Sequence, residues 1–288
     1  MEVKSVLDRL YAGRRLRHLA NDPLSFCHRY SDPADQEVAA VIASAFAYGG
    51  IKIILRTLES IFTKLGPSPR SYVETFDPGQ ALETFSGFKH RFNDGRDLVA
   101  LLWSLRLMIE NAGSVNAFFL RFHDPAASDV TTALNGYSSA VLALDYQAVF
   151  GCSSAPAGSY FPFLFPAPAA GSACKRLCMF LRWVVRPADG IDLGLWRGVS
   201  PSQLVIPVDT HISRICSYLG FTGRTSADWR MACEITSALR RLDPEDPVKY
   251  DFSLAHLGIS EGCNGADPLG CLSCAIKDIC PQTSMAAT

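Results

Sequence analysis

EVAAVIASAFAYGGIKIILRTLESIFTKLGP, residues 37–67, reads as one amphipathic helix followed at once by another. Val38, Val41, Ile42, Ala45 and Phe46 recur at helical spacing after a polar start at Ser31 to Asp35, and Gly49-Gly50 then interrupts the pattern. Ile51, Ile54, Leu55, Leu58, Ile61, Phe62 and Leu65 resume the same period until Gly66-Pro67. A third run holds Leu98, Leu101, Leu102, Leu105 and Met108, and further helical patterns fall near 115–122, 128–149, 173–186, 209–219, 226–241 and 247–260. No stretch alternates apolar and polar residues for long enough to propose a sheet, so the expected class is all-α. Between Gly151 and Ser172 the character changes. Pro, Gly, Ser and Ala mix there with Tyr160, Phe161, Phe163 and Phe165, which predicts a structured loop or junction.

The chain has 288 residues, 48% hydrophobic and 19% charged, enough to bury one large core or two moderate ones and too apolar for a disordered protein. The opening MEVKSVLDRLYAGRR scatters charges among its apolar residues, which argues against a secretory signal. No later segment reaches the roughly 20 apolar residues that span a bilayer. A cytoplasmic protein with no membrane partner is expected. The formal net charge of −1 gives no general attraction to nucleic acid, so DNA binding would need a local basic face. Cys27, Cys152, Cys174, Cys178, Cys216 and Cys233 are dispersed, several within apolar helical patterns, and read as small buried thiols. The remaining four cysteines are bunched near the end.

Two helices and one loop carry residues suited to chemistry. In IPVDTHISRICSYLG, residues 206–220, Asp209 can cap a helix whose Ile212, Ile215, Cys216 and Leu219 line one face and which Gly220 ends. A capping role alone would account for Asp209. The alternative is a carboxylate held as an anion at a helix N-terminus, ready beside a developing positive charge or a lysine ammonium. In GSACKRLCMFLRWVVR, residues 171–186, Lys175, Arg182 and Arg186 fall within about 20° of one direction on a helix. They form either a solvated charged face or a phosphate-binding stripe beside a nucleophile, with Arg176 adjoining. Cys263, Cys271, Cys274 and Cys280 are spaced C-x7-C-x2-C-x5-C, close enough for an iron–sulfur cluster, with a structural zinc site as the rival.

The string Val208-Asp209-Thr210-His211-Ile212-Ser213-Arg214 resembles the segment of endonuclease III-like, helix-hairpin-helix DNA glycosylases that carries their essential aspartate. GCLSCAIKDIC, residues 270–280, resembles the cluster loop of endonuclease III and adenine-mismatch glycosylases, with one extra residue between the first two ligands. EVAAVIASAFAYG looks like the first barrel helix of the superfamily. The resemblance spans 35–62 and 171–280. It implies two helical lobes with an active-site cleft between them and a C-terminal four-cysteine loop holding a [4Fe–4S] cluster. One lobe would be 30–198 with Lys175, the other 1–29 plus 199–288 with Asp209 and the cysteines.

The superfamily's bifunctional members use a lysine upstream of the aspartate to attack the sugar C1′, and Lys175 is the matching residue. Its wide separation from Asp209 looks more like the archaeal 8-oxoguanine glycosylases. Loss of the ammonium proton would be favoured by burial and by Arg182 or Arg176, with Asp209 assisting. PAPAAGSACKR replaces the usual glycine-rich hairpin, so Gly171, Ser172 and the helix start that follows are expected to wrap a DNA phosphate. Arg176, Arg182, Arg186 and Arg214 are the other expected DNA contacts. His211 reads as a structural hydrogen-bonder, and the Tyr160 to Phe165 aromatics as either core or a stacking surface for an extruded base. The implied activity is base-excision N-glycosylase with AP-lyase chemistry on a damaged base, an oxidised purine among the candidates. The partner is double-stranded DNA with that base flipped out. No oligomer interface is legible and a monomer is expected. The alternative is a non-catalytic lesion-sensing protein that keeps the fold and the cluster.

Overall fold

The computed structural model describes residues 2–265 and 267–282, and the chain is mostly helical. In chain order the helices are α1 (Val3–His18), α2 (Pro33–Ala45), α3 (Ile51–Leu65), α4 (Pro69–Thr75), α5 (Pro78–Thr84), α6 (Gly95–Ala112) and α7 (Val115–Leu120). They continue with α8 (Thr131–Leu142), α9 (Gln147–Phe150), α10 (Lys175–Val185), α11 (Thr210–Tyr218), α12 (Trp229–Arg240), α13 (Asp251–Ile259) and α14 (Pro268–Ser273). Two short strands, β1 (Lys89–His90) and β2 (Asn93–Asp94), pair antiparallel with Lys89 opposite Asp94 and His90 opposite Asn93. No helix among the described residues is long and apolar enough to cross a membrane.

Local chemistry writes the helix boundaries. Asp32 accepts the Ala34 N–H ahead of α2, with Pro33 in the first position, and Asp94 and Asp97 form a reciprocal capping box at the start of α6. The single helix expected over 128–149 divides into α8 and α9. Asp145 caps the Gln147 N–H and the Tyr146 hydroxyl donates back to the Val141 carbonyl, which holds the break closed. Helices α4 and α5 are too short for periodicity to register, although Ser68-Pro69 and Asp77-Pro78 are the cap-plus-proline starts that mark them. The 151–172 segment is irregular, as expected, with 3₁₀ turns at Phe161–Leu164 and Pro168–Ala170.

The chain forms two compact units, one of residues 21–170 with 195–199, the other of the described residues in 1–20, 171–194 and 200–282. In the 21–170 unit, Val38 and Ile42 of α2 and Leu98, Leu101, Leu102 and Leu105 of α6 are fully buried. Each such side chain contributes roughly 1.5–3 kcal/mol. Glu37 is buried there too, and its carboxylate accepts the Val115 and Asn116 N–H groups at the start of α7 and the Trp196 indole N–H at 2.7 Å. That last bond ties the 195–199 strip into this unit. In the other unit, α1 and α11 pack on α13, with Leu7, Ile215, Leu254 and Leu257 buried.

The division differs from the expected lobes chiefly in two segments. Residues 21–29 join the 30–170 stretch instead of the Asp209 lobe. Residues 171–194, with Lys175, belong to the same compact unit as Asp209. The reason is electrostatic as well as apolar, because Arg182 and Arg186 of this segment find their carboxylate partners at Asp251 and Asp246.

Candidate active site and cysteine cluster

Lys175 is the first residue of α10 and Asp209 is the cap of α11. Ahead of α10, Gly171 takes φ 78 and Cys174 takes φ 48, both left-handed, so the chain turns sharply into the helix. The Ser172 hydroxyl accepts the Cys174 N–H at 3.1 Å, and Ser172 forms an isolated antiparallel bridge with Asp228. Ahead of α11, Val205, Ile206 and Val208 are buried, and the Ile206 N–H donates to the Thr236 hydroxyl. Both helix starts are thereby anchored to α12, one at its cap Asp228 and the other at Thr236.

Asp209 uses its oxygens differently. Oδ1 accepts the His211 and Ile212 N–H groups, both at 2.9 Å, and Oδ2 lies 3.5 Å from Lys175 Nζ. The Lys175 and Asp209 side chains are 35% and 17% exposed, so an amine and a carboxylate sit side by side within reach of a solvent-borne molecule. Such a pair can exchange a proton and present a nucleophile beside an anion.

Beneath this pair lies a buried ionic network that sequence reading does not reveal. Arg182 donates to Asp251 at 2.5 Å and to Asp192 at 3.2 Å, while Arg186 is bonded to Asp192 and holds Asp246 at 2.8 Å. Burial pushes the Asp251 carboxyl up to about 6; Arg182 opposes that rise and the nearby charge of Asp209 adds to it. Burial likewise raises Asp192. The Cys216 thiol, on the inner face of α11, is pushed up by burial and then by the charges of Asp251 and Asp209.

This network corrects the expected basic stripe. Arg176, Arg182 and Arg186 are only 6%, 3% and 4% exposed. Arg182 and Arg186 do share a direction with Lys175, but that direction runs into carboxylates from 192, 246 and 251, and an unpaired buried guanidinium would cost several kcal/mol. Arg214 also turns inward, its Nη2 donating to the Cys263 carbonyl and lying 3.3 Å from His211 Nδ1. Of the expected DNA contacts, Gly171 is exposed, with open space where a Cβ would stand, and Ser172 is partly exposed. Phe161 and Phe165 are core, whereas Tyr160 and Phe163 are at the surface.

Cys263, Cys271 and Cys274 line one cavity of about 130 Å³ together with Leu257, Gly265 and Asp267. The Cys263 thiol is raised by burial and next by the adjacent Cys274, with Cys280 close enough to add to the effect. Among the described residues, no group of three or more His, Cys, Asp or Glu side chains is drawn together tightly enough to hold a metal ion as it stands. Three thiols line one cavity and the fourth is in electrostatic range, a donor set whose chemistry suits an iron–sulfur cluster or a zinc ion.

A family model described as a protein of unknown function (DUF2400) matches residues 22–260. No curated protein and no solved structure matches the chain.

Proposed function

The chain belongs to the DUF2400 family, and from there we propose that it is a helix-hairpin-helix type DNA N-glycosylase with AP-lyase activity, acting on a damaged base in duplex DNA. The observation that carries the reading is the Lys175–Asp209 pair, 3.5 Å apart and partly open to solvent at two helix starts. The target nucleotide is flipped out of the duplex. Asp209 Oδ2 takes a proton from the Lys175 ammonium, and the freed Nζ attacks C1′ of the sugar. The N–C1′ bond forms as the bond to the base breaks, and the electron pair leaves with the base, which picks up a proton. Ring opening gives a Schiff base on Lys175. Loss of a C2′ proton then expels the 3′ phosphate. Asp209 passes the proton it took from Lys175 to the departing base and, anionic again, stabilises the positive charge that develops at C1′ in the later steps. Both residues lie in one compact unit, so the chemistry does not depend on a cleft between units.

Cys263, Cys271, Cys274 and Cys280 would hold a [4Fe–4S] cluster, with zinc as the competing occupant. Such a cluster, when bound, cross-links this part of the chain and takes no part in base removal. Iron and sulfide analysis of anaerobically purified protein separates the two. Oxidised purines are the first substrate class to test.

Borohydride reduction with abasic, 8-oxoguanine, oxidised-pyrimidine, uracil and mismatch duplexes tests the chemistry. A covalent complex is expected on at least one lesion, and Lys175→Gln abolishes it. Trapping that survives in this variant removes Lys175 from the role. Base release without trapping converts the reading to a monofunctional enzyme in which Asp209 activates water. The engagement of Ser172 with Asp228, where a free glycine-rich hairpin would otherwise hold phosphate, favours a second reading as a non-catalytic lesion binder. Equal lesion binding by wild type and Asp209→Asn, with no product, selects it.

A further inference from the structure

In the 21–170 unit, Phe92, Tyr160 and Phe163 stand at the surface 45%, 50% and 41% exposed. They are grouped: Phe92 stacks on Tyr160 with centroids 5.4 Å apart and planes 23° from parallel, and Phe163 meets Phe92 edge-on at 6.1 Å. Tyr48 meets Phe163 edge-on from another side at 5.2 Å.

A buried polar scaffold holds these rings. Asn93 is fully buried, and its amide donates to Asp97 Oδ2 at 2.9 Å and to the Tyr160 carbonyl at 3.0 Å, while its oxygen accepts the Tyr48 hydroxyl at 2.5 Å. The other Asp97 oxygen accepts the Ser159 hydroxyl at 2.8 Å. One asparagine therefore ties Tyr48 to the two segments that carry the exposed rings, Phe92 and Tyr160–Phe163. Beside Phe92 and Tyr160 lies a cavity of about 190 Å³ whose lining includes Arg96, Asp94 and Phe150.

The β1–β2 turn supplies a second, independent observation. Arg91 and Phe92 are its two central residues, and Arg91 takes φ 52. A two-residue hairpin that needs positive φ at this position ordinarily uses glycine, and a long side chain there is strained. The arginine side chain lies along Gly49, φ 101, where an added Cβ would come within 3.0 Å of Arg91 Cδ, and its guanidinium is 5.5 Å from the Phe92 ring centre. Lys89 and Arg96 flank the turn and are exposed. Lys52 and Arg56 are exposed on α3, the helix that Thr57 bonds to His90 of β1. Fold stability would favour glycine at 91. A guanidinium beside half-exposed rings, with exposed cations on the same hairpin and on α3, matches a ligand that is flat, apolar on its faces and anionic along its edge.

We propose that Phe92, Tyr160 and Phe163, with Arg91, form a stacking platform for an unpaired base of single-stranded DNA, whose phosphates run along Lys89, Arg96, Lys52 and Arg56. Base-on-ring stacking tolerates any base, and the cations track the backbone. The inference takes from the proposed function only that the nucleic acid is DNA, and it needs none of the chemistry at Lys175.

Fluorescence polarisation of the full chain with a labelled thymidylate dodecamer tests it. The double variant Phe92→Ala/Phe163→Ala is expected to weaken binding by roughly tenfold or more. Arg91→Gly is expected to bind more weakly with a shallower salt dependence, while its melting temperature stays equal or rises because the strained backbone relaxes. That opposition separates a binding role from a structural one. Unchanged affinity in the ring variant overturns the platform, as does an Arg91→Gly protein that melts lower and binds equally well. Tighter binding of a uridylate dodecamer overturns the assignment to DNA. Borohydride trapping reads Lys175 on lesion duplexes and so fails or succeeds separately. Ring-dependent strand binding without trapping would leave the platform standing and remove the Schiff-base chemistry at Lys175.

Discussion

Asp209 assigns one oxygen to structure and the other to the site, and isosteric substitution separates the two duties. An asparagine keeps an oxygen for the His211 and Ile212 N–H groups but loses the charge facing Lys175. Asp209→Asn is expected to stay within a few tenths of a kcal/mol of wild type in urea unfolding, whereas Asp209→Ala costs about 1 kcal/mol as a lost cap. Both should lower trapped product at least a hundredfold if the carboxylate moves the proton. Equal activity in the asparagine variant would reduce Asp209 to a cap. Asp8 of α1 offers a pH test. Burial alone would raise its carboxyl, but hydrogen bonds from Lys4, Tyr250 and Lys249 outweigh that and hold it at about 2, below its ordinary 3.8. A depressed folded-state value means the contribution is complete above 3.8 and disappears as pH falls through about 2. The urea midpoints of wild type and Asp8→Asn should therefore differ at neutral pH and converge toward pH 2. The gap stays modest because the side chain is 40% exposed.

Helix α11 packs closely on α13. Its His211 lies against Gly258 of α13, where an added Cβ would fall 2.2 Å from Nδ1. Arg214 and Tyr218 of the same helix donate to the carbonyls of Cys263 and Asn264. Gly258→Ala is expected to push α11 and α13 apart and cost about 1–3 kcal/mol in urea unfolding; a neutral substitution would show that the helices slide freely. Helix α11 was legible in the sequence because its signals are local: an aspartate cap, four apolar residues on one face and Gly220. The role of α10 was not. A helical projection shows that Lys175, Arg182 and Arg186 share a direction, but not what lies opposite, and the opposing carboxylates come from positions 192, 246 and 251. The β1–β2 hairpin was hidden for another reason. Its turn is Arg91-Phe92, without the glycine or asparagine that announces such turns.

At the scale of the molecule, the helical class followed from periodicity. The grouping of segments into units did not, because residues 171–194 are placed by partners far away in sequence. The unit that holds the candidate site is assembled from three separate pieces of chain. Helix α1 reaches its neighbours through Tyr11, whose hydroxyl bonds Asp189, and through Asp8, which meets Tyr250 at 2.7 Å and Lys249 at 3.1 Å. On a ribosome, α1 emerges before the whole 21–170 stretch, yet every one of these partners emerges after it. The 21–170 unit, nearly continuous, can mature during synthesis, while α1 must wait with its apolar face uncovered until Asp189, Lys249 and Tyr250 have been made. An early helix with a late berth is a natural client for a holdase. Completion of the Lys175–Asp209 unit likewise waits on α13, so products truncated before residue 249 would carry no assembled site.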